Sequence, residues 1–419
     1  MKLRIVTAWL CLLAVLSACE DEEYDSASVP NSIETRLPKP SEVARGNRTV
    51  LVYMVADNSL SSFALDDLAE MKEGLKSVDV TENNLLVYID NRKIAGNDRN
   101  TDSVPRLIRL GKDKRGRVIE ETLVRYKEQN SVDMAVMRNV LQTTFKYYPA
   151  KSYGIVFWSH GEGWVPAPST SSTRWFGQDD NNYMNISDLH EVLKVVPHFD
   201  YIFFDACFMQ SVEVAYELRD CGDYLIGSPT EIPGPGAPYQ KVVPAMFADG
   251  DASVKIADAY YSYYNDMYNG GKKISNKNWT GGVSIGVTKN SALMKLAKAT
   301  AKIIPAYIID RKSVNDWEIL HYDKRNNNTP YYYDLDGLIR SLATEEEYEK
   351  WKSVFDETVV AWKYTEENYS GFAGGMFSMK GSAGLSSYIP HGKYDSAVNK
   401  YYRESCGWYK AAGWHQTGW

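Results

Sequence analysis

Basic residues are too few to build a nucleic-acid-binding face. The chain has 47 Lys and Arg against 54 Asp and Glu, a formal charge of −7, and nucleic-acid binders usually show a clustered basic surface. Cysteine is scarce as well. The five, at positions 11, 19, 207, 221 and 406, form no disulfide framework, and no pair has metal-ligand spacing. Internal repeats and low-complexity segments are absent. What remains is the composition of a folded globular protein, 44% hydrophobic and 24% charged, long enough to bury a large core. Aromatics reach 13%, so some of the 30 Tyr and 11 Trp are expected at the surface.

The N-terminus accounts for two of the cysteines. Lys2 and Arg4 precede a short apolar run from Ile5 to Leu16, which is too brief for a permanent membrane span and reads as a cleaved signal over residues 1–18. Leu16-Ser17-Ala18-Cys19 resembles a bacterial lipobox, which implies a lipid on Cys19. The protein is therefore expected in the cell envelope, anchored at the outer membrane. The acidic stretch Glu20 to Glu23 with Asp25 resembles a surface-export signal, or else is a solvated spacer. Residues 19–46, with Pro30, Pro38 and Pro40, read as a flexible tether.

From residue 47 the pattern becomes α/β. Val50 to Val55, Leu85 to Ile89, Tyr153 to Trp158 and Tyr201 to Phe204 are continuous apolar runs, as expected of strands buried on both faces of a mostly parallel sheet. Helical segments alternate with them: Leu65, Leu68, Met71 and Leu75 share one face, and Asp133 to Tyr148 forms a second helix. Further strands are expected at Tyr224 to Gly227 and Val283 to Val287. Helices are expected around 251–269, 290–309 and 344–368, and a late antiparallel pair from Phe377 and Leu385 to Ile389. No second linker follows residue 46, so 47–419 is read as one α/β/α sandwich with its C-terminal part packed on the same core.

Two of these strands run directly into reactive side chains. His160 and Cys207 each stand two or three residues beyond the end of a core strand, where open α/β sheets bind ligands. A thiol and an imidazole in one crevice suit acyl transfer: the thiolate attacks a carbonyl and the imidazolium protonates the leaving amine. Met209 to Arg219 has helical character, so Cys207 is expected near a helix N-terminus that favours a thiolate. The amides of Gly161 and Cys207 could supply an oxyanion hole.

The blocks Tyr153 to Gly161 and Tyr201 to Cys207 resemble the signature blocks of the clostripain family of cysteine peptidases, relatives of caspases, legumains and gingipains. Tyr53 to Asn58 with Asp67-Leu68, Glu231 to Tyr239, and Gly384 to Pro390 resemble further family segments. The likeness spans about residues 50–390. It implies a caspase-like fold and endopeptidase cleavage after Arg or Lys, with Cys207 as nucleophile and His160 as acid–base partner. The family's specificity acid falls on Asp205, which as a turn residue could equally cap the helix after Cys207. Self-cleavage between the two blocks is common in the family, and Arg174 is the single basic residue in 162–185. Family members can respond to calcium, but Asp179 and Asp180 form no regular calcium loop. No cofactor is required, no calcium site is assigned, and a monomer is expected. Glu162 departs from the small residue usual after His-Gly; its carboxylate either acts on His160 or is solvated. Two other functions share these motifs: a surface binding protein without catalysis, and a transpeptidase in which an amine resolves the thioester.

Overall fold

Val50 to Val55 stays apolar throughout because both of its faces find a core. Val50, Val52 and Met54 join one buried cluster, while Leu51, Tyr53 and Val55 join the other. The structure, a computed structural model, describes residues 29–39, 43–92, 104–165, 175–308, 318–325, 330–392 and 395–419. Its strands in chain order begin with β1 (Ser32–Thr35), β2 (Gly46–Ala56), β3 (Asn83–Asn91), β4 (Arg106–Lys112), β5 (Val118–Tyr126) and β6 (Ala150–Trp158). They continue with β7 (Phe176–Asp179), β8 (Asn182–Met184), β9 (Phe199–Asp205), β10 (Gly222–Gly227) and β11 (Ser284–Lys289). The last five are β12 (Tyr333–Asp334), β13 (Val359–Tyr364), β14 (Glu367–Ser370), β15 (Gly375–Ser378) and β16 (Ser386–Ser387).

Ten strands form one sheet in the order β1-β5-β4-β3-β2-β6-β9-β10-β11-β13. The middle five, β3 to β10 in that order, are parallel; antiparallel strands close both ends. One face is covered by helices α1 (Ser61–Leu75) and, later in the chain, Tyr239–Met246 and Ala252–Met267, which bury Leu68, Met71, Val243 and Tyr260 against it. The other face carries α2 (Met134–Tyr147), α3 (Ile186–Leu193) and α4 (Val212–Glu217), together with the C-terminal helices that bring in Trp351, Trp408 and Trp414. This is the expected α/β/α sandwich of caspase-like type.

Several local expectations are corrected. Ser32–Thr35, placed in the tether, is an edge strand paired antiparallel with β5. Helix 344–368 stops at Thr358, and the β-branched run Val359-Val360 opens β13 instead. Phe377 lies in β15 and pairs with β14, whereas Ser386–Ser387 pairs with β12, so the late strands are not each other's partners.

The neighbours of β2 decide where a site can form. From β2 the chain crosses to β3 on one side, while β6 and β9 lie on the other. That reversal opens a crevice at the carboxyl ends of β2, β6 and β9. Among the described residues, no helix is long and apolar enough to cross a membrane.

Candidate active site

β6 and β9 are adjacent and parallel, with Trp158 opposite Asp205. Their exits therefore bring Ser159-His160-Gly161 beside Ala206-Cys207-Phe208. The approach is so close that a Cβ on Gly161 would lie 2.8 Å from Ala206 Cβ and 2.9 Å from the Cys207 carbonyl. Only glycine fits there. His160 and Cys207 thus line one cleft of about 420 Å³, together with Leu60, Trp158, Asp205, Ile232, Gly236 and Phe372.

The imidazole is placed by the turn after β2. Asn58 fixes that turn, donating to the carbonyls of Val55 (2.9 Å) and Gln178 (2.7 Å) and accepting from the Leu60 amide (2.8 Å). Ser59 Oγ then sits 2.8 Å from His160 Nε2. Burial holds the His160 pKa below the ordinary imidazole value, so the ring is neutral at rest. Ser59 was not singled out in the sequence. Its position just past a core strand, like those of His160 and Cys207, was the available signal.

Cys207 differs from expectation. The helix after it spans only Val212–Glu217 and is capped by Ser211, so its N-terminus is not at the thiol. The intervening chain is a turn in which Phe208 takes a positive φ of 60°. Sγ accepts a hydrogen bond from the Ile232 amide at 3.3 Å. Burial pushes the thiol up to about 12, with Glu231, Glu162 and Asp205 adding to the rise. The resting pair is therefore thiol and neutral imidazole, and no hydrogen bond joins the two among the described residues. The backbone donors of their neighbours are spent, Glu162 N–H on Trp175 and Phe208 N–H on Thr230. The amides of Gly161 and Cys207 carry no hydrogen bond among the described residues.

Asp205 is buried and lines the cleft. Its Oδ2 accepts from the Ala237 amide and the Tyr239 hydroxyl, both at 3.0 Å, while Oδ1 has no partner. The carboxyl does not cap α4. Burial raises its pKa to about 6 against the lowering effect of those two bonds. A buried acid that lines the cleft and keeps one oxygen unpartnered suits a cationic side chain.

Glu162 is largely buried. Its carboxylate pairs with Arg325, which also reaches Asp323 Oδ2 at 3.4 Å and lies over the Phe372 ring, 4.1 Å from the centroid. The Tyr332 hydroxyl donates to the Glu162 carbonyl. This network clamps the His turn from behind: Tyr332 braces the turn, and Asp334 caps the helix Leu335–Leu342. Glu231 anchors the opposite rim by accepting from Ser370 Oγ at 2.5 Å and the Gly371 amide at 3.0 Å. Cys19 and Arg174 lie outside the described residues, and among those described no cluster of His, Cys, Asp or Glu is arranged to hold a metal ion.

A family model described as the clostripain family matches residues 52–419. Clostripain of Hathewaya histolytica is 28% identical over 284 residues, covering 60% of this chain but only 53% of clostripain, so the chain spans about half the length of that relative. Two solved structures each cover 88% of this chain and 99% of their own. A secreted C11 cysteine protease from Bacteroides thetaiotaomicron, in complex with an irreversible peptide inhibitor, is 49% identical with a TM-score of 0.78. An inactive zymogen C11 protease from Parabacteroides distasonis is 31% identical with a TM-score of 0.74.

Proposed function

The chain belongs to the clostripain family, and from that premise we propose that it is a cysteine endopeptidase cleaving after Arg or Lys. The observation that carries the reading is the empty Oδ1 of buried Asp205 in the same cleft as Cys207 and His160. A P1 guanidinium or ammonium entering the cleft meets that oxygen, which fixes the scissile carbonyl near Sγ.

His160 then takes the thiol proton as Sγ attacks the carbonyl carbon. The oxyanion forms against the amides of Gly161 and Cys207. The imidazolium returns its proton to the departing amine, leaving a thioester. Water, deprotonated by His160, attacks the thioester; the new carboxyl product leaves and the thiol is restored.

The same reading extends to the ends of the chain. A lipid on Cys19 is supported by the lipobox-like Leu16 to Cys19 and would place the enzyme on the outer membrane, exposed to polypeptide substrates. Activation by a cut after Arg174 is supported by that residue's singularity in 162–185 and by a relative described as an inactive zymogen.

Mass analysis of products from a peptide holding one Arg and one Lys tests the reaction. Free carboxyl ends after those residues are expected. Amide products formed on adding a primary amine, in place of acids, would indicate a transpeptidase. No turnover, even after a nick at Arg174, would indicate a binding protein.

A further inference from the structure

A basic side chain needs one acid in its pocket, yet three carboxyls converge behind this cleft. Asp205 is joined by Asp67 and Glu70, both from α1. Each is held by neutral donors. Trp158 Nε1 donates to Asp67 Oδ2 at 2.7 Å, the Tyr239 amide to Glu70 Oε2 at 3.0 Å, and the Tyr239 hydroxyl to Asp205 Oδ2 at 3.0 Å. Among the described residues, none of the three is paired with a basic side chain. Burial first, and the mutual field of the acids second, push Asp67 well above the carboxylate range.

Gly236 brings Asp67 into relation with the cleft. It lines the cavity with φ +68°, and a Cβ there would lie 3.0 Å from Asp205 Oδ2 and 3.2 Å from Asp67 Oδ2. The two carboxyls thus flank one point of the wall that glycine leaves open. Two further groups there are unsatisfied. Asp205 Oδ1 and the hydroxyl of fully buried Tyr260, which lies within the field of Asp205 and Cys207, have no hydrogen-bond partner. Buried polar atoms are rarely left unpaired, so an empty acceptor on a residue that lines the cavity points to a ligand that supplies donors and charge.

We propose that Asp67 is a second specificity-determining carboxyl of the P1 pocket, selecting arginine over lysine. The proposal rests on the reading of the cleft as a basic-P1 peptidase site. An ammonium is a compact, strongly hydrated charge that one carboxylate satisfies. A guanidinium is planar, less strongly hydrated and carries five donors, so it gains more from two acids flanking its plane. Asp67 acts from behind Gly236 and Trp158, through the ionisation that an arriving P1 cation favours and through its hold on the Trp158 indole, while Asp205 makes the direct contact.

The test compares wild type with Asp67→Asn on matched peptides differing only in P1 Arg or Lys. Asparagine keeps the volume and the acceptor for Trp158. The kcat/KM for Arg is expected to fall about tenfold or more, mainly through KM, with a smaller fall for Lys. The Arg/Lys ratio then collapses, while the rate of Cys207 alkylation by iodoacetamide stays at the wild-type value. An unchanged Arg/Lys ratio in folded Asp67→Asn overturns the proposal but leaves the peptidase reading intact. Wild type that cleaves after neither residue overturns both. Should the variant fail to fold, inhibition of wild type by butylguanidinium and pentylammonium decides. About tenfold stronger inhibition by the guanidinium supports the second carboxyl, and equal inhibition contradicts it.

Discussion

Ser59 holds the imidazole of His160: its Oγ lies 2.8 Å from Nε2, whereas Cys207 Sγ takes its hydrogen bond from the Ile232 amide. The three residues leave the ends of three neighbouring strands, β2, β6 and β9. A base oriented by a third group is the arrangement that nucleophilic catalysis requires. Here the third group is a hydroxyl, anchored through the Asn58 turn rather than through a carboxylate.

Ser59→Ala should therefore lower kcat about tenfold with little change in KM, since the ring loses orientation but not its proton chemistry. Ser59→Thr, which keeps the hydroxyl, should recover most of the loss. Steady-state kinetics on a basic peptide checks this, and an Ala variant with wild-type kcat would remove Ser59 from the machinery.

Asp205 couples activity and stability to pH in opposite directions. Its pKa is raised from the ordinary 3.8 to about 6 by burial. Cation binding needs the ionised form, so KM for Arg or Lys peptides should fall as pH rises through about 6. The folded state binds this proton more tightly than the unfolded state, so the linked stability is full below 3.8 and lost as pH climbs through about 6. Asp205→Asn should consequently lose basic-P1 cleavage while its Tm advantage over wild type grows between pH 4 and pH 7. Thermal scans at both ends check the sign, and a constant difference would mean that Asp205 is already ionised throughout.

Arg325 balances two buried carboxylates, Glu162 and Asp323, with both ends of the pair to Glu162 only 10% exposed. Arg325→Met removes the guanidinium from both acids. Breaking a buried pair by removing one partner typically costs about 3–5 kcal/mol. Denaturant unfolding should show a loss of that order at neutral pH, and a loss below about 1 kcal/mol would mean that water already screens the cluster.

The sequence disclosed the parts of the fold that are buried on two sides. Each of β2, β3, β6 and β9 holds an uninterrupted apolar run, Val50 to Val55, Leu85 to Ile89, Tyr153 to Trp158 and Tyr201 to Phe204, and the His and Cys turns beyond the last two are readable for that reason. The hairpin of β4 and β5 was not singled out, because Arg106, Arg109, Glu120 and Glu121 interleave its apolar residues on a half-covered edge. β13 was absorbed into the preceding helix because no Gly or Pro separates Thr358 from Val359. At the site, Glu162 could not be read, since its partner Arg325 lies 163 residues away. Asp67 is legible in the sequence only as part of a family-like segment. Only the fold reveals that it is buried beside Asp205.

The central claim is that Cys207 attacks peptide bonds held by a cation in the Asp205 pocket. Its most direct test is an assay of residues 20–419 on fluorogenic peptides ending in Arg, Lys, Asp or Leu, with Cys207→Ala alongside. The account predicts release after Arg and Lys, none after Asp or Leu, and no release by the variant. Cleavage confined to Asp or Leu peptides, or cleavage that survives in Cys207→Ala, would contradict it.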